Sequence, residues 1–492
     1  MQRTGATTTA SDEANSRVAT SNTDRPVRRT STLILASLGV FLTSLDVVVV
    51  ATALPTLRVQ LRASLSDLEW TINAYNLVFA CLMLTGAALG DRFGRRLSYI
   101  VGLLLFTLGS VAAAAATTAG TLIIARVVQG VGAAVVLPLT LTLISAAFPP
   151  EKRGAAIGVW GGISGLGVAA GPVIGGAIVE GWSWQWIFWL NVPVGLMVSI
   201  LSAVFLRESR GPRPQLDFAG LLLGALAMLA LTWAPVRAPV SGWGSPEVLG
   251  SLLAGIALLG AFLAWEARAR HPMLPLTYFR NRGFSTANAV VFFQFFSLLG
   301  SLFMITQLFQ IGLGYSPLQA GLRILVWMAM PMLVAPMAGA LSDKFGNRPF
   351  MIIGLLLQSA GLFWLAAVVQ PQVGYGALVG PLIVAGIGIA MCFPTVANAV
   401  VSSVPTDDSG VAAGTNSALR ELGGVFGIAI LAAVFAAGGS YASASTFIDG
   451  FRPAIVVAAA VPLAGLLAAI LAPSKNALTH HGQSVSPLGG TL

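Results

Sequence analysis

Fourteen apolar runs, each long enough to cross a bilayer, follow one another along this chain. A helix needs about 20 residues to traverse the hydrocarbon layer. The runs cover residues 33–56, 70–90, 97–116, 121–147, 155–179, 186–206, 218–235, 248–266, 285–307, 319–341, 350–369, 376–401, 411–435 and 453–472. Such a succession predicts one fold class, an all-α polytopic membrane protein with 14 transmembrane helices. Charge agrees with it. Of the 492 residues 9% are charged and 56% hydrophobic, against about 25% charged in soluble domains. So few ionised side chains can neither coat a soluble chain of this length nor keep it disordered.

Several chemistries drop out on residue types alone. The three histidines, His271, His480 and His481, place no pair at metal-ligand spacing inside a span. None of the three lysines, Lys152, Lys344 and Lys475, follows a glycine, so the phosphate-cradling Gly-Lys-Ser/Thr loop is missing. No Gly-x-Ser-x-Gly nucleophile turn occurs. Cys81 and Cys392 both lie in apolar runs and read as small packing residues rather than a disulfide. Neither an enzyme, nor a cofactor, nor a metal site is expected.

The basic residues set the orientation. With the N-terminus inside, the inner segments hold 20 Lys and Arg and the outer loops five, the bias expected when both termini are cytoplasmic. The net charge of +9 is then a topology signal rather than a nucleic-acid surface. Trp70, Trp182, Trp184, Trp186, Trp243 and Trp265 fall at run ends, where an aromatic belt belongs. The first run is longer than a signal-peptide core and carries Asp46, so it is read as a retained span.

The chain repeats itself. Ala87-Ala-Leu-Gly-Asp91-Arg92-Phe-Gly94-Arg95-Arg96 is echoed by Gly339-Ala-Leu-Ser-Asp343-Lys-Phe-Gly346-Asn-Arg348. Asp91 stands 58 residues past the start of the first run and Asp343 stands 58 past the start of the ninth. The expected organisation is therefore a tail (1–32), a six-helix half (33–206), a linker with two extra helices (207–284), a second six-helix half (285–472) and a tail (473–492). Parallel halves of this kind form transporters with a site at their interface near the midplane. The two extra helices are expected outside that core, with no charge inside the membrane.

Charges inside the spans are the natural site candidates, because an ionised side chain in hydrocarbon is expensive and usually marks an ion or substrate route. Asp46 is fourteenth of 24 residues in its run, near the midplane, and is a candidate proton carrier; the alternative is a structural hydrogen bond. Arg126 lies at a similar depth in the fourth run. It either answers the charge of Asp46 or is a fixed tie. Arg420-Glu421 falls mid-span in the thirteenth run. Glu421 is a second candidate for a proton or cation, or else it compensates Arg420. Phe293 and Gln294, in a phenylalanine-rich stretch of the ninth run, are candidates for lining a substrate pocket, together with Asn191.

Five motifs in order give a resemblance to the major facilitator superfamily, in its fourteen-span drug–proton antiporter branch. They are Leu45-Asp46-Val-Val-Val-Val-Ala-Thr-Ala53-Leu54-Pro55, the Asp91–Arg96 loop, Leu122-Ile-Ile-Ala-Arg126-Val-Val-Gln129-Gly130, Gly167-Val-Ala-Ala-Gly171-Pro172-Val-Ile-Gly175-Gly176, and Trp186-Ile-Phe188-Trp-Leu-Asn191-Val-Pro193-Val-Gly195. The resemblance implies the major facilitator fold. It also implies alternating-access efflux of lipophilic drugs or antibiotics, cationic ones among them, across the cell membrane in exchange for protons. Gly167, Gly171, Pro172, Gly175 and Gly176 would form a tight contact between the halves. In the two loops, with Asp91, Arg92, Gly94, Arg95, Arg96, Asp343, Gly346 and Arg348, the charges would pair with Arg residues and cap helix ends at the cytoplasmic mouth when it is shut; the alternative is a topology signal alone. A solute–proton symporter or uniporter of the same fold is the nearer alternative, and a non-transporting sensor or scaffold the farther one. Oligomeric state is left open.

Overall fold

The structure, a computed structural model, describes residues 28–63, 65–211, 217–270, 272–440 and 442–473. Of the two expected tails, residues 1–27 and 474–492 lie outside the described residues, and a helix already begins at Arg29. Among the described residues, fourteen helices are long and apolar enough to cross a membrane. Spans one to six are Arg29–Leu54, Trp70–Phe93, Arg95–Ala114, Ala119–Ala147, Pro150–Gly181 and Trp186–Phe205. Spans seven and eight are Phe218–Ala238 and Pro246–Glu266. Spans nine to fourteen are Arg282–Gly312, Leu318–Phe345, Asn347–Val368, Tyr375–Ser402, Thr406–Gly438 and Ala444–Leu471. Helix is what the sequence must form here, since hydrocarbon offers backbone N–H and C=O groups no other partner.

Local chemistry places the ends and the breaks. Spans four, ten and fourteen each open on a reciprocal cap, made by Thr118 with Thr121, Ser316 with Gln319 and Ser443 with Thr446. Span ten breaks at Ala329, between helices Pro317–Met328 and Met330–Phe345, where Pro331 opens the second piece. Span six breaks at Leu190, so that Asn191 begins its longer piece. The loops after spans two and ten turn at Gly94 and Gly346, whose φ angles of 114° and 85° lie where a side chain would be strained.

Packing repeats with an offset of eight spans. Span one lies against five and span nine against thirteen; two against four and ten against twelve; three against four and six, and eleven against twelve and fourteen. Two seams join the resulting bundles, span five with span ten and span two with span thirteen. Span eight packs on span seven and otherwise presents apolar side chains such as Leu253 and Ile256 outward. Span seven touches both bundles. It packs against span two and span thirteen together, through Met228 with Leu77, Cys81 and Ala418 and through Trp233 on Trp70. At the ends of the extra pair Arg237 pairs with Glu247 at 2.9 Å and Glu266 is buried. Trp184 also departs from the belt position. It is fully buried with Ile187 and Phe188, whereas Trp182 and Trp186 are exposed.

Candidate functional site

Asp46 sits in span one with 2% of its surface exposed, and spans four and six supply its partners. Arg126 of span four donates through Nη1 to Asp46 Oδ2 at 2.5 Å. Asn191 of span six and Gln129 of span four donate through their amide nitrogens to Oδ1 at 2.8 and 3.2 Å. Ser110 of span three accepts from both amides. The guanidinium also donates to Gln129 Oε1 at 2.9 Å and, through Nε, to the Thr71 carbonyl of span two at 3.2 Å. Its carbon lies 4.3 Å from the centre of the Tyr75 ring. A buried charge pair survives only when its remaining hydrogen-bonding capacity is met, and this shell supplies acceptors to Nε and Nη1 of Arg126 and donors to both oxygens of Asp46.

Part of that shell was named from the sequence and part was not. Asn191, expected in a substrate pocket, is 1% exposed and committed to Asp46. Gln129, Ser110, Thr71 and Tyr75 were missed. Gln129 carried a readable signal, since it follows Arg126 by three residues and so shares its helix face.

Arg420 and Glu421 turn toward each other despite being neighbours in sequence, with Nη2 to Oε1 at 3.1 Å. Arg420 also rests 5.3 Å from the Phe295 ring. Phe295 contacts Phe393 of span twelve, which stacks on Trp160 of span five at 5.6 Å. This aromatic row joins the two bundles at mid-depth. Gln294 and Phe293, the expected pocket residues, lie elsewhere. Gln294 is fully buried and donates to the Ile389 carbonyl, and Phe293 packs toward Gly465 of span fourteen. Both serve packing within the second bundle.

The glycines of span five divide between two neighbours. A side chain at Gly167, Gly171 or Gly175 would strike Phe41, Val48 or Thr52 of span one, so this motif packs inside the first bundle and not between the halves. Gly176 has only Leu318 of span ten near it, at 3.8 Å from where a Cβ would sit. The side chain of Pro172 lies outside the described residues. The close contact between bundles is made instead by Gly154 and Gly158. A Cβ at Gly339 would fall 2.1 Å from the Gly154 carbonyl oxygen, and one at Gly158 would fall 2.4 Å from that of Ala335.

At the face where span one begins, the two loop motifs cross between bundles. Asp343 accepts from the backbone N–H groups of Gly154 and Ala155 at 2.9 and 3.0 Å, at the start of the span-five helix, where a carboxylate is favoured. Asp91 occupies the equivalent place beside Gly410 of span thirteen. It takes a 2.8 Å ion pair from Arg95, whose Nη2 donates to the Asp407 carbonyl at 2.6 Å. Arg96 pairs with Glu208 at 3.8 Å, and Glu208 accepts from the Arg96 and Leu97 N–H groups. Arg92 leans on Phe93, while Arg348 stands half-buried in the first turn of span eleven.

Two helical bundles with a duplicated loop closing one face, and an acid–base pair buried in one bundle, make the architecture of a membrane transporter. The chain belongs to the Major Facilitator Superfamily, whose family model matches residues 36–428 and 288–484. It is 34% identical over 407 residues to the Tetracenomycin C resistance and export protein of Streptomyces glaucescens, covering 82% of this chain and 76% of that one. It is 30% identical to the Methylenomycin A resistance protein of Bacillus subtilis, over 91% of this chain and 95% of that one. Among solved structures it superposes on the proton:xylose symporter XylE with a TM-score of 0.65 and 18% identity, over 91% and 96% of the two chains. This is a likeness of fold.

Proposed function

We propose that this protein exports lipophilic small molecules, drugs or antibiotics, across the cytoplasmic membrane in exchange for protons. The observation that carries the reading is the Asp46 carboxylate, buried at mid-span and ion-paired to Arg126. A proton reaching Asp46 discharges that pair and frees the shell around it to rearrange. The names of the relatives, resistance and export proteins, support a drug-like substrate. The contacts of Asp343 and Asp91 across the bundles support alternating access, with the face at the start of span one shut in this arrangement. Glu421, paired with Arg420 between the bundles, is a second acid that such an exchange could use. The membrane potential alone supplies about 2.3 kcal/mol per charge per 100 mV.

The decisive test is drug accumulation in efflux-deficient cells with and without an uncoupler. Cells making the protein should hold less drug, and the difference should vanish when the proton gradient collapses. Export that persists without the gradient would remove the antiport reading.

Both termini are placed in the cytoplasm, since fourteen is even and the basic loops lie on the side of the N-terminus. A reporter fused at Leu492 should therefore be active as a cytoplasmic marker. Activity of an external marker there would reverse the assignment.

A further inference from the structure

Tyr75 of span two is fully buried, and its hydroxyl has no hydrogen-bond partner among the described residues. Burying an unsatisfied hydroxyl is unfavourable, so the residue is not explained by a hydrogen bond. Its ring is in use. The Arg126 guanidinium carbon stands 4.3 Å from the ring centre, within the range where the ring face attracts a cation, most strongly when water is excluded. The ring is also fixed in place. Phe79, one turn on, stacks against it at 5.6 Å, and a Cβ at Gly130 would lie 2.8 Å from the Tyr75 carbonyl oxygen. Spans two and four are thus locked together at this level.

We propose that Tyr75 is a positioning residue that holds the Arg126 cation when Asp46 has no charge to offer it. The inference rests on the antiport reading above. In the arrangement seen, Arg126 has four supports: Asp46, Gln129, the Thr71 carbonyl and the Tyr75 ring. Protonation of Asp46 withdraws the one negative charge. A buried cation left without a counter-charge is strongly unfavourable, which would oppose proton uptake. The ring quadrupole and the two carbonyl oxygens remain, and they keep the guanidinium in its place. The other charged groups whose field reaches the Tyr75 hydroxyl are Asp46, Arg126 and Glu421, the last paired with Arg420. Spans three and six contribute the neutral Ser110 and Asn191.

A double-mutant cycle on the full chain in detergent tests this without any transport measurement. Tyr75→Leu should lower the melting temperature, and by at least about twice as many degrees in the Asp46→Asn background as in the wild type, because coupled groups are not additive. Tyr75→Phe keeps the ring and should be near neutral in both. In vesicles, Tyr75→Leu should slow gradient-driven export about tenfold, a desolvated cation–ring contact being of that order, and move the pH profile toward acid. Tyr75→Phe should restore both. Equal losses in the two backgrounds, or Tyr75→Phe as impaired as Tyr75→Leu, would overturn the proposal. Non-additive melting combined with gradient-independent export would leave Tyr75 in its role and discard the antiport reading instead.

Discussion

Asp46→Asn is expected to insert normally and to lose uphill export altogether, falling to the level of cells without the protein. The asparagine fills the same space and can still accept from Asn191 and Gln129, but it carries no charge and can neither take nor release a proton. Arg126 then keeps a permanent charge without its carboxylate. Removing one member of a buried pair typically costs about 3–5 kcal/mol, so a lower melting temperature should accompany the loss. The measurement is drug uptake into inverted vesicles under an imposed proton gradient, with downhill counterflow as the control that binding survives. Wild-type uphill export by this variant would exclude Asp46 as the exchanging group and leave Glu421, ion-paired to Arg420, as the acid to examine. The second bundle has no direct counterpart, because Leu298 stands 45 residues before Asp343 where Asp46 stands 45 before Asp91.

Gly339→Leu should be nearly as damaging for a different reason. A Cβ there would already lie 2.1 Å from the Gly154 carbonyl oxygen, and backbone cannot move aside as a flexible side chain can. The clash exists only while spans five and ten are pressed together. Overpacking costs about 1–3 kcal/mol, and a penalty confined to one conformation moves the population by that amount, roughly five- to 150-fold. The face at the start of span one should then remain open. Export should fall by an order of magnitude or more with insertion intact. Ser409→Cys, at a position buried in the shut arrangement, should react faster with a bulky thiol reagent in detergent. Gly171→Leu adds the same volume against Val48 of span one and should not raise that reactivity. Unchanged labelling and full export in Gly339→Leu would mean that this contact does not govern closure.

The sequence made the charged part of the site legible because ionised side chains stand out in an apolar run. Asp46 and Arg126 could be named, and their similar depth noted, before any contact was known. The neutral part of the shell was harder. Gln129 and Ser110 carry little penalty on their own, and Asn191 gave no indication of its partner, since the meeting of spans one, three, four and six is a product of tertiary packing. The glycines of span five went wrong for a reason that helix geometry could have exposed. At about 100° per residue, positions 154, 158, 162 and 165 fall within some 80° of one another, and positions 167 and 171 lie roughly 175° and 135° from the middle of that set. One helix cannot press both sets on the opposite bundle. Arg420 and Glu421 show the limit of that same arithmetic, because two long side chains leaving adjacent positions can still bend together.

Span seven has a mechanical consequence. Two cylinders that roll against each other ordinarily have two equivalent edges, but here one edge is laminated. Along spans two and thirteen a third helix is bonded to both sides through Met228 and Trp233, and span eight backs it. Separating that edge means peeling an apolar strip away from one side, whereas among the described residues the edge between spans five and ten carries no such strip. In such a roll the two edges would differ in stiffness, and its axis would lie near the laminated side. Under the alternating access proposed above, displacement would grow toward the bare edge, and lipid there would be disturbed most.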